Sequence, residues 1–566
     1  MTTAPRDGAT QLRETTLRKA RGAFFTPPEL ADFVSRWTIR TASDVVLEPS
    51  CGEAAFLLAA AQRLDAIGAR PSRQQLEGIE IHPASAQHAI RVVAQTGHEA
   101  RVQVNDFFAV PSQRRFDAVI GNPPYVRYQS HVGPARLASR EAALRGGVGL
   151  TGLASTWAAA TIHAAEFLKP GGRLGLVLPA ELLTVNYAAD VRRYLMERFG
   201  RVQLVMFTER VFPDVQEEVV LLLADDALAV GGTDHCELRQ VQSAIELTEG
   251  LDDPETRHRW WPSDYRAKWT PALLSVGALD VYTPVSGGDG FSSLQTWGET
   301  TLGAVTGRNN FFAVSPACAR ALKLRDHETV RLSPPGSRHL RGLSLTTAAW
   351  KQLGDEGART LLFRPGLRRP DMSSGARRYI AHGERDGVDQ AYKCRMRTPW
   401  WQVPINNPAD LLFTYMNADT PRITTNSAGA VHLNSVHGIY LHSEHKRLGT
   451  AALPLASLNS ITLLGAELVG RAYGGGMLKL EPSEADQLPV PSPAVVAASV
   501  PQLQQARGSI REALRRRDLS AAVRIVDEVI LQQQLGIDAA DHAELVAAHA
   551  VMAARRMARG ANPGKR

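Results

Sequence analysis

The sequence predicts an α/β fold whose first part is a Rossmann-like domain with a mainly parallel sheet, because short β-branched runs alternate there with alanine-rich helical stretches. This alternation extends from about Asp44 to Ala224, and the apolar run Val219–Leu223 predicts one buried strand. In open α/β sheets, ligands bind beyond the carboxyl ends of the strands. The residues that follow each run are therefore candidate site residues. The runs are Val45–Leu47, Leu76–Glu80, Arg101–Val104, Phe116–Ile120 and Arg173–Leu178.

The remainder of the 566-residue chain has a different composition. After about residue 250, tryptophans, prolines and turn dipeptides replace the regular alternation, which predicts a mixed α+β domain. From Pro501 the pattern becomes helical again. The expected domains are therefore residues 1–245, 246–500 and 501–566.

Charge and composition narrow the class of protein. The formal net charge is +7 and the cations are mostly arginine, which suits a polyanionic partner such as nucleic acid. The four cysteines are too widely spaced for a metal site and too few for a disulfide framework, so we expect no metal and a reducing cytoplasm. No segment resembles a signal peptide and no run of about 18 apolar residues occurs, so we expect no membrane association.

The first predicted strand runs into a tight turn that opens a helix, Leu47–Phe56. Such a turn lets the backbone approach a ligand closely, and it brings Glu48, Cys51 and Gly52 to the end of the strand. A turn with one glycine is common in proteins and is weak evidence on its own.

The next two strands also end in residues that suit a nucleoside. Glu80 can accept hydrogen bonds from both hydroxyls of a ribose. Asp106 can accept from an adenine amino group, beside the flanking ring of Phe107. Ordinary surface acids explain any one of these positions well but explain all three strand ends poorly. We therefore predict a cofactor site that contains Glu48, Cys51, Gly52, Glu80, Asp106 and Phe107.

The order of these elements resembles the TaqI-like class of N6-adenine DNA methyltransferases, the γ arrangement, in which a segment that closes over the methionine moiety comes first. Here that segment is Gly22–Ala31. The resemblance implies a class I methyltransferase domain, S-adenosyl-L-methionine as cofactor, and Thr26 facing that cofactor. Thr26 can also cap a helix that has Pro27 at its first position.

The strongest motif is Asn122-Pro123-Pro124-Tyr125, directly after the fourth predicted strand. The lone pair of an adenine N6 amine is delocalised into the ring, so the amine is a poor nucleophile. Two acceptors, the side-chain oxygen of Asn122 and the carbonyl of Pro123, can draw that lone pair back onto nitrogen and stabilise the developing positive charge. The prolines hold the loop in an extended shape, and Tyr125 can stack on a base flipped out of the duplex. Asn122 also belongs to the predicted cofactor site.

The resemblance extends to three further places. It implies a second aromatic face from Phe212, and it makes Leu168–Leu174 a helix ending, glycine cap and strand entry. The helix before that stretch departs from the family pattern, because it has Ala160 where an aromatic is usual, with Trp157 one turn earlier.

From about Thr300 onward the chain resembles the specificity domains of the same class. Three segments carry the resemblance, and basic groups alternate in them with aromatics, as contacts to a DNA backbone and to bases require. The alternative interpretation is that these segments are ordinary surface loops that pack around core tryptophans. The segments are Thr306–Phe312, Tyr392–Trp401 and Arg471–Leu480.

These features predict a site-specific DNA adenine N6-methyltransferase that acts on double-stranded DNA in a restriction-modification or phage-defence setting. Methylation of a protein glutamine or of an RNA exocyclic amine is the nearest alternative, and a DNA-binding module with an inactive methyltransferase half is another. A fusion with a nuclease would rest only on the scattered residues Asp371, Glu444 and Lys446. A separate restriction endonuclease or defence-system proteins stay open as partners.

Overall fold

The computed structural model describes residues 26–70, 75–207, 218–248, 257–262 and 264–560. The chain divides into two compact units, residues 1–273 and 274–566. The boundaries at 245 and 500 expected from composition stay a prediction about domains.

The first unit is built on one nine-stranded sheet, which confirms the predicted α/β fold with a mainly parallel sheet. The order across the sheet is β3-β2-β1-β4-β5-β7-β6-β8-β9, and β7 runs antiparallel to both of its neighbours. The strands are β1 (Val46–Pro49), β2 (Leu76–Glu80), β3 (Ala100–Val104), β4 (Phe116–Gly121), β5 (Leu168–Pro179), β6 (Phe199–Phe207), β7 (Val219–Ala227), β8 (Cys236–Val241) and β9 (His258–Trp260).

Seven helices of this unit fall within the described residues. They are α1 (Pro28–Thr38), α2 (Ala55–Ala66), α3 (Pro83–Ala94), α4 (Gly133–Arg145), α5 (Thr156–Ala165), α6 (Glu181–Thr184) and α7 (Ala189–Arg198). Helix α1 packs closely on β5, where a Cβ added to Gly175 would lie 2.6 Å from Val34 Cγ1. Glycine at this position therefore lets the helix approach the strand.

Two local predictions are wrong in detail. Helix α1 begins at Pro28 rather than Pro27, and no side chain caps it, so Thr26 is not its cap. The stretch Leu168–Leu174 belongs to β5 rather than to a helix ending, because α5 already ends at Ala165. The register of β5 against β4 shifts there, and Gly171 adopts a φ of +76°, so the extra residues bulge from the strand.

The topology indicates where a ligand should bind. Strand β1 lies between β2 and β4, so the chain builds one half of the sheet outward from β1 and then crosses to the other half at β4. The carboxyl ends of β1 and β4 therefore flank a topological switch point, where a crevice forms in open α/β sheets.

The second unit contains four small sheets. Their orders are β10-β21, β11-β18-β15-β17, β12-β14-β13 and β16-β20-β19. The strands are β10 (Phe291–Ser293), β11 (Gly298–Leu302), β12 (Ala313–Val314), β13 (Thr329–Arg331), β14 (Leu361–Phe363), β15 (Leu411–Thr414), β16 (Met416–Asn417), β17 (Ile423–Thr425), β18 (Val436–Leu441), β19 (Arg471–Tyr473), β20 (Met477–Lys479) and β21 (Pro489–Pro491).

The helices at the end of the chain pack within the same unit, α17 against α14 and α19 against α15. The helices are α8 (Val276–Gly287), α9 (Asn309–Phe312), α10 (Pro316–Ala321), α11 (Thr347–Asp355), α12 (Ser374–Arg385), α13 (Tyr392–Arg395), α14 (Lys446–Ala456), α15 (Ser460–Val469), α16 (Pro482–Asp486), α17 (Pro493–Arg515), α18 (Leu519–Asp527) and α19 (Ala539–Gly560). In the described part of the chain no single helix is long and apolar enough to cross a membrane, and only α14 and α15, bent by 91°, reach that length and composition as a pair.

Candidate active site

A cavity of about 800 Å³ opens where β1, β2, β3 and β4 end. The structure brings nearly all of the predicted site residues to it. Pro123 and Tyr125 belong to the same loop as two lining residues but do not line the cavity, and Phe212 lies outside the described residues. The predicted residues that line it are Thr26, Glu48, Cys51, Gly52, Glu80, Asp106, Phe107, Asn122 and Pro124.

The turn after β1 is held against the end of β2. The backbone N–H groups of Ser50 and Cys51 both donate to the Ile79 carbonyl, at 2.8 and 3.0 Å. Ser50, Gly52 and Ala54 all have positive φ, so the turn is tight and directs its backbone toward the cavity.

Glu80 joins this turn to its own strand. One carboxylate oxygen accepts from Gly52 N and the other from His82 N, each at 2.9 Å. Each oxygen keeps a second lone pair, so the carboxylate can still accept from two hydroxyl groups of a ligand. Glu80 therefore both shapes the turn and presents acceptors to the cavity.

Glu48 is buried at the end of β1 and accepts from Leu57 N at 2.9 Å. Burial raises the pKa of this carboxyl well above its usual value, and the nearby Glu80 raises it further. Burial, together with Glu48 and Glu80, also raises the pKa of the Cys51 thiol. The neutral forms of Glu48 and Cys51 are therefore favoured, and Cys51 is not a nucleophile.

The end of β3 forms a polar and aromatic wall. Asp106 accepts from Phe108 N at 3.0 Å and so caps the short turn Phe107–Ala109. The centres of the Phe107 and His163 rings lie 4.6 Å apart. In addition, His163 Nε2 donates to the Phe107 carbonyl at 3.1 Å. Burial lowers the pKa of His163, which keeps the imidazole neutral. This network fixes the Phe107 wall.

The loop after β4 holds the side-chain amide of Asn122 between partners of opposite polarity. Its Nδ2 donates to Thr26 Oγ1 at 3.1 Å. The Tyr125 hydroxyl lies 2.6 Å from Asn122 Oδ1 and 2.9 Å from the Val177 carbonyl, and its hydrogen can be donated to one of them at a time. The amide oxygen and nitrogen of Asn122 are thus distinguished by their neighbours.

Thr156, the first residue of α5, supports the same loop from behind. Its hydroxyl donates to the Pro124 carbonyl at 2.5 Å and accepts from Val126 N at 2.9 Å. Pro123 is buried, and none of the described residues donates a hydrogen bond to its carbonyl. That carbonyl is therefore unsatisfied within the described part of the chain, although Pro123 does not itself line the cavity.

Helix α5 departs from the family pattern in a definite way. Ala160 lines the cavity, whereas Trp157 is fully buried away from it. The indole N–H of Trp157 lies 3.2 Å from Glu181 Oε2 and 3.1 Å from the Tyr187 hydroxyl. The helix therefore contributes a small side chain, not an aromatic one, to the cavity.

Several lining residues were not predicted. Ile81 lies on the cavity and is 56% exposed, directly after Glu80. Its position could have been inferred from the sequence, because a large apolar residue directly follows the acid that ends the strand. Ser85 and His88 of α3 line the cavity as well. In the ranges that the structure describes, no group of three or more His, Cys, Asp or Glu side chains could hold a metal ion.

Two family models match the chain. Residues 12–227 match N-6 DNA Methylase, and residues 266–531 match the C-terminal domain of the type II methyltransferase M.Eco57I. The type II methyltransferase M.XamI of Xanthomonas campestris pv. amaranthicola is 27% identical over 487 residues, which are 83% of this chain and 85% of that protein. M.AccI of Acinetobacter calcoaceticus is 22% identical over 496 residues, with the same coverage of 83% and 85%.

The fold and these matches define a DNA adenine methyltransferase. More particularly, the first part of the chain is similar to N-6 DNA methylase, and the second part is similar to the C-terminal domain of a type II methyltransferase. Among solved structures, the type IIL restriction-modification enzyme MmeI in complex with DNA has a TM-score of 0.48 and 11% identity, covering 93% of this chain and 75% of that one.

Proposed function

We propose that the protein transfers a methyl group from S-adenosyl-L-methionine to the N6 amine of an adenine that is flipped out of double-stranded DNA. One observation carries the proposal. Asn122, at the end of β4, borders the same cavity as the acids that end β1, β2 and β3.

The residues of the cavity fit the cofactor. A volume of about 800 Å³ lies within the usual range of small-molecule sites. Glu80 can accept from the ribose hydroxyls, Asp106 from the adenine amino group, and Phe107 can pack on the base. Thr26, Cys51 and Gly52 complete the wall near Asn122. When bound, S-adenosyl-L-methionine would supply an electrophilic methyl group next to this loop.

Two acceptors of the loop would activate the target amine. Asn122 Oδ1 and the Pro123 carbonyl can each accept one N–H of the amine, which favours a pyramidal nitrogen with an available lone pair. As the methyl group arrives, positive charge develops on that nitrogen, and the same two oxygens stabilise it. The prolines hold both acceptors in place before the substrate binds.

The target base must leave the duplex to reach this loop, which costs a few kcal/mol of stacking and pairing. We infer that Tyr125 and Phe212 supply the two faces on which the extrahelical adenine stacks. Asn122 then meets the amino edge of the base. This arrangement is the one expected for the TaqI-like subclass.

The matched C-terminal domain makes duplex DNA the substrate we propose, with sequence selection by the second unit. The relatives M.XamI and M.AccI are named type II methyltransferases. We accordingly propose a restriction-modification or phage-defence role, with any cognate nuclease supplied by a separate protein.

The direct test uses labelled S-adenosyl-L-methionine with duplex DNA, RNA and protein as competing acceptors. We expect label in duplex DNA at one short sequence, and Asn122→Ala should reduce transfer by at least about a hundredfold. Calorimetry should find cofactor binding by that variant largely retained. Label in RNA or protein but not in DNA would overturn the proposal.

A further inference from the structure

Helix α13 of the second unit and Met396, the residue that follows it, present two large apolar side chains to solvent. Tyr392 is 64% exposed and Met396 is 70% exposed. They are four residues apart, a spacing that brings side chains to the same face of a helical turn. Large exposed apolar groups that are close together often mark an interaction surface.

Two cations flank this pair. Lys393 and Arg395 are both exposed, and Lys393 Nζ lies 5.6 Å from the centre of the Tyr392 ring. Within the part of the chain that the structure describes, neither cation forms an ion pair with a carboxylate. By contrast, Arg368 and Arg369 of the same unit pair with Asp371 and Glu384.

The buried side of α13 is fixed by contacts with the segment around Thr306. Cys394 is fully buried, and its thiol donates to the Thr306 carbonyl at 3.6 Å. Arg397 donates to the carbonyls of Thr306 and Val305. Gly307 has a φ of +84°, and a Cβ there would lie only 3.0 Å from Lys393 Cβ. A short helix of four residues is thereby fixed in position without using its outer face.

The charge around the helix favours a polyanion. Arg308 and Arg397 lie close enough to act electrostatically on the buried Cys394, as does Asp389. The cations of this surface suit the phosphates that border a DNA groove. The apolar pair suits the edges of the bases and the steps between them. An anionic lipid surface also suits cations beside apolar side chains. Residues 266–531, which include this helix, match the C-terminal domain of a type II methyltransferase, and this match favours DNA.

We propose that the outer face of α13, defined by Tyr392, Lys393, Arg395 and Met396, contacts duplex DNA. Lys393 and Arg395 bind phosphates, and Tyr392 and Met396 contact bases, so the latter two determine sequence specificity. The inference rests on the proposed function, because it names the DNA-reading surface of that activity.

The phosphate contacts are tested by the salt dependence of binding to a labelled duplex of random sequence. Each of Lys393→Gln and Arg395→Gln should reduce the slope of log affinity against log salt by about one. Arg515→Gln is the matched control, because it removes the same charge from an exposed arginine paired with Glu512. Slopes equal to that of the control would overturn the phosphate contacts.

The base contacts are tested by sequencing the positions methylated in genomic DNA. Tyr392→Ala and Met396→Ala should relax discrimination against near-cognate sites by at least about fivefold, while Val276→Ala, another half-exposed apolar residue, should not. An unchanged set of methylated sequences would overturn the proposal. If the wild-type protein methylated no DNA, the proposed function would fail instead, and the salt experiment would still report on α13.

Discussion

The Tyr125 hydroxyl lies 2.6 Å from Asn122 Oδ1, the oxygen that we propose accepts from the target amine. An amide oxygen has two lone pairs, so this contact does not prevent a second hydrogen bond. Thr26 accepts from Nδ2 of the same amide at 3.1 Å. Together these partners hold the Asn122 amide in one orientation, in which its oxygen, rather than its nitrogen, is available to the target amine.

Tyr125→Phe should therefore lower kcat by roughly 2- to 10-fold, the equivalent of one net hydrogen bond, because the amide orientation becomes less defined. The ring is retained, so KM for DNA should change little. Single-turnover methylation rates measure the effect. Tyr128→Phe is the control, because that hydroxyl contacts the exposed Gln129. An unchanged rate in Tyr125→Phe would contradict the orienting role.

Glu80→Ala should weaken cofactor binding at least about tenfold. The variant loses the acceptors for the cofactor and leaves two backbone N–H groups, of Gly52 and His82, without their partner. Isothermal calorimetry gives the affinity directly. Glu77→Ala tests the same strand, but its side chain pairs with Arg115 rather than facing the cavity. Equal affinities for Glu80→Ala and Glu77→Ala would show that Glu80 has no such role.

The sequence was sufficient for β1 to β5, for β7 and for the ends of the first four strands, because β-branched periodicity and strand-end acids are local signals. It did not indicate β6, β8 or β9. It was insufficient for the start of α1, for the bulge in β5 and for the burial of Trp157. Each of these depends on packing between elements distant in sequence. The hydrogen bond from Asn122 to Thr26 joins residues 96 positions apart, and no local pattern predicts it.

For the second unit the sequence predicted a mixed α+β domain with a helical C-terminal segment, but within the domain it indicated only three landmark segments. Thr306–Phe312 and Tyr392–Trp401 were singled out separately, yet the structure joins them through Cys394 and Arg397. Long-range contacts of this kind decide which residues of a landmark are buried and which are exposed. The exposed face of α13 therefore emerged only from the structure.

Thr156→Val should lower kcat by about 10- to 100-fold with little effect on cofactor affinity. The hydroxyl holds both the Pro124 carbonyl and Val126 N, so its loss loosens the loop that carries the proposed acceptors. Thr161→Val is a matched control on the same helix, since its hydroxyl donates only to the Trp157 carbonyl. Parallel measurements of kcat and of cofactor binding separate the two effects. A loss shared equally by Thr161→Val would point to helix stability instead.

Glu48→Gln should change how the stability of the protein depends on pH. An unfolded glutamate titrates near 4.5, whereas burial raises the pKa of Glu48 well above that value. Between the two pKa values, the unfolded chain releases a proton that the folded protein retains. The free energy of unfolding of the wild type therefore falls as pH rises, by up to about 1.4 kcal/mol per pH unit from this group.

Glutamine does not ionise, so the Glu48→Gln variant lacks this contribution, and its stability relative to wild type should increase from about pH 5 upward. Urea unfolding at a series of pH values measures the difference, and parallel curves for the two proteins would mean that Glu48 is ionised in the folded state at little cost.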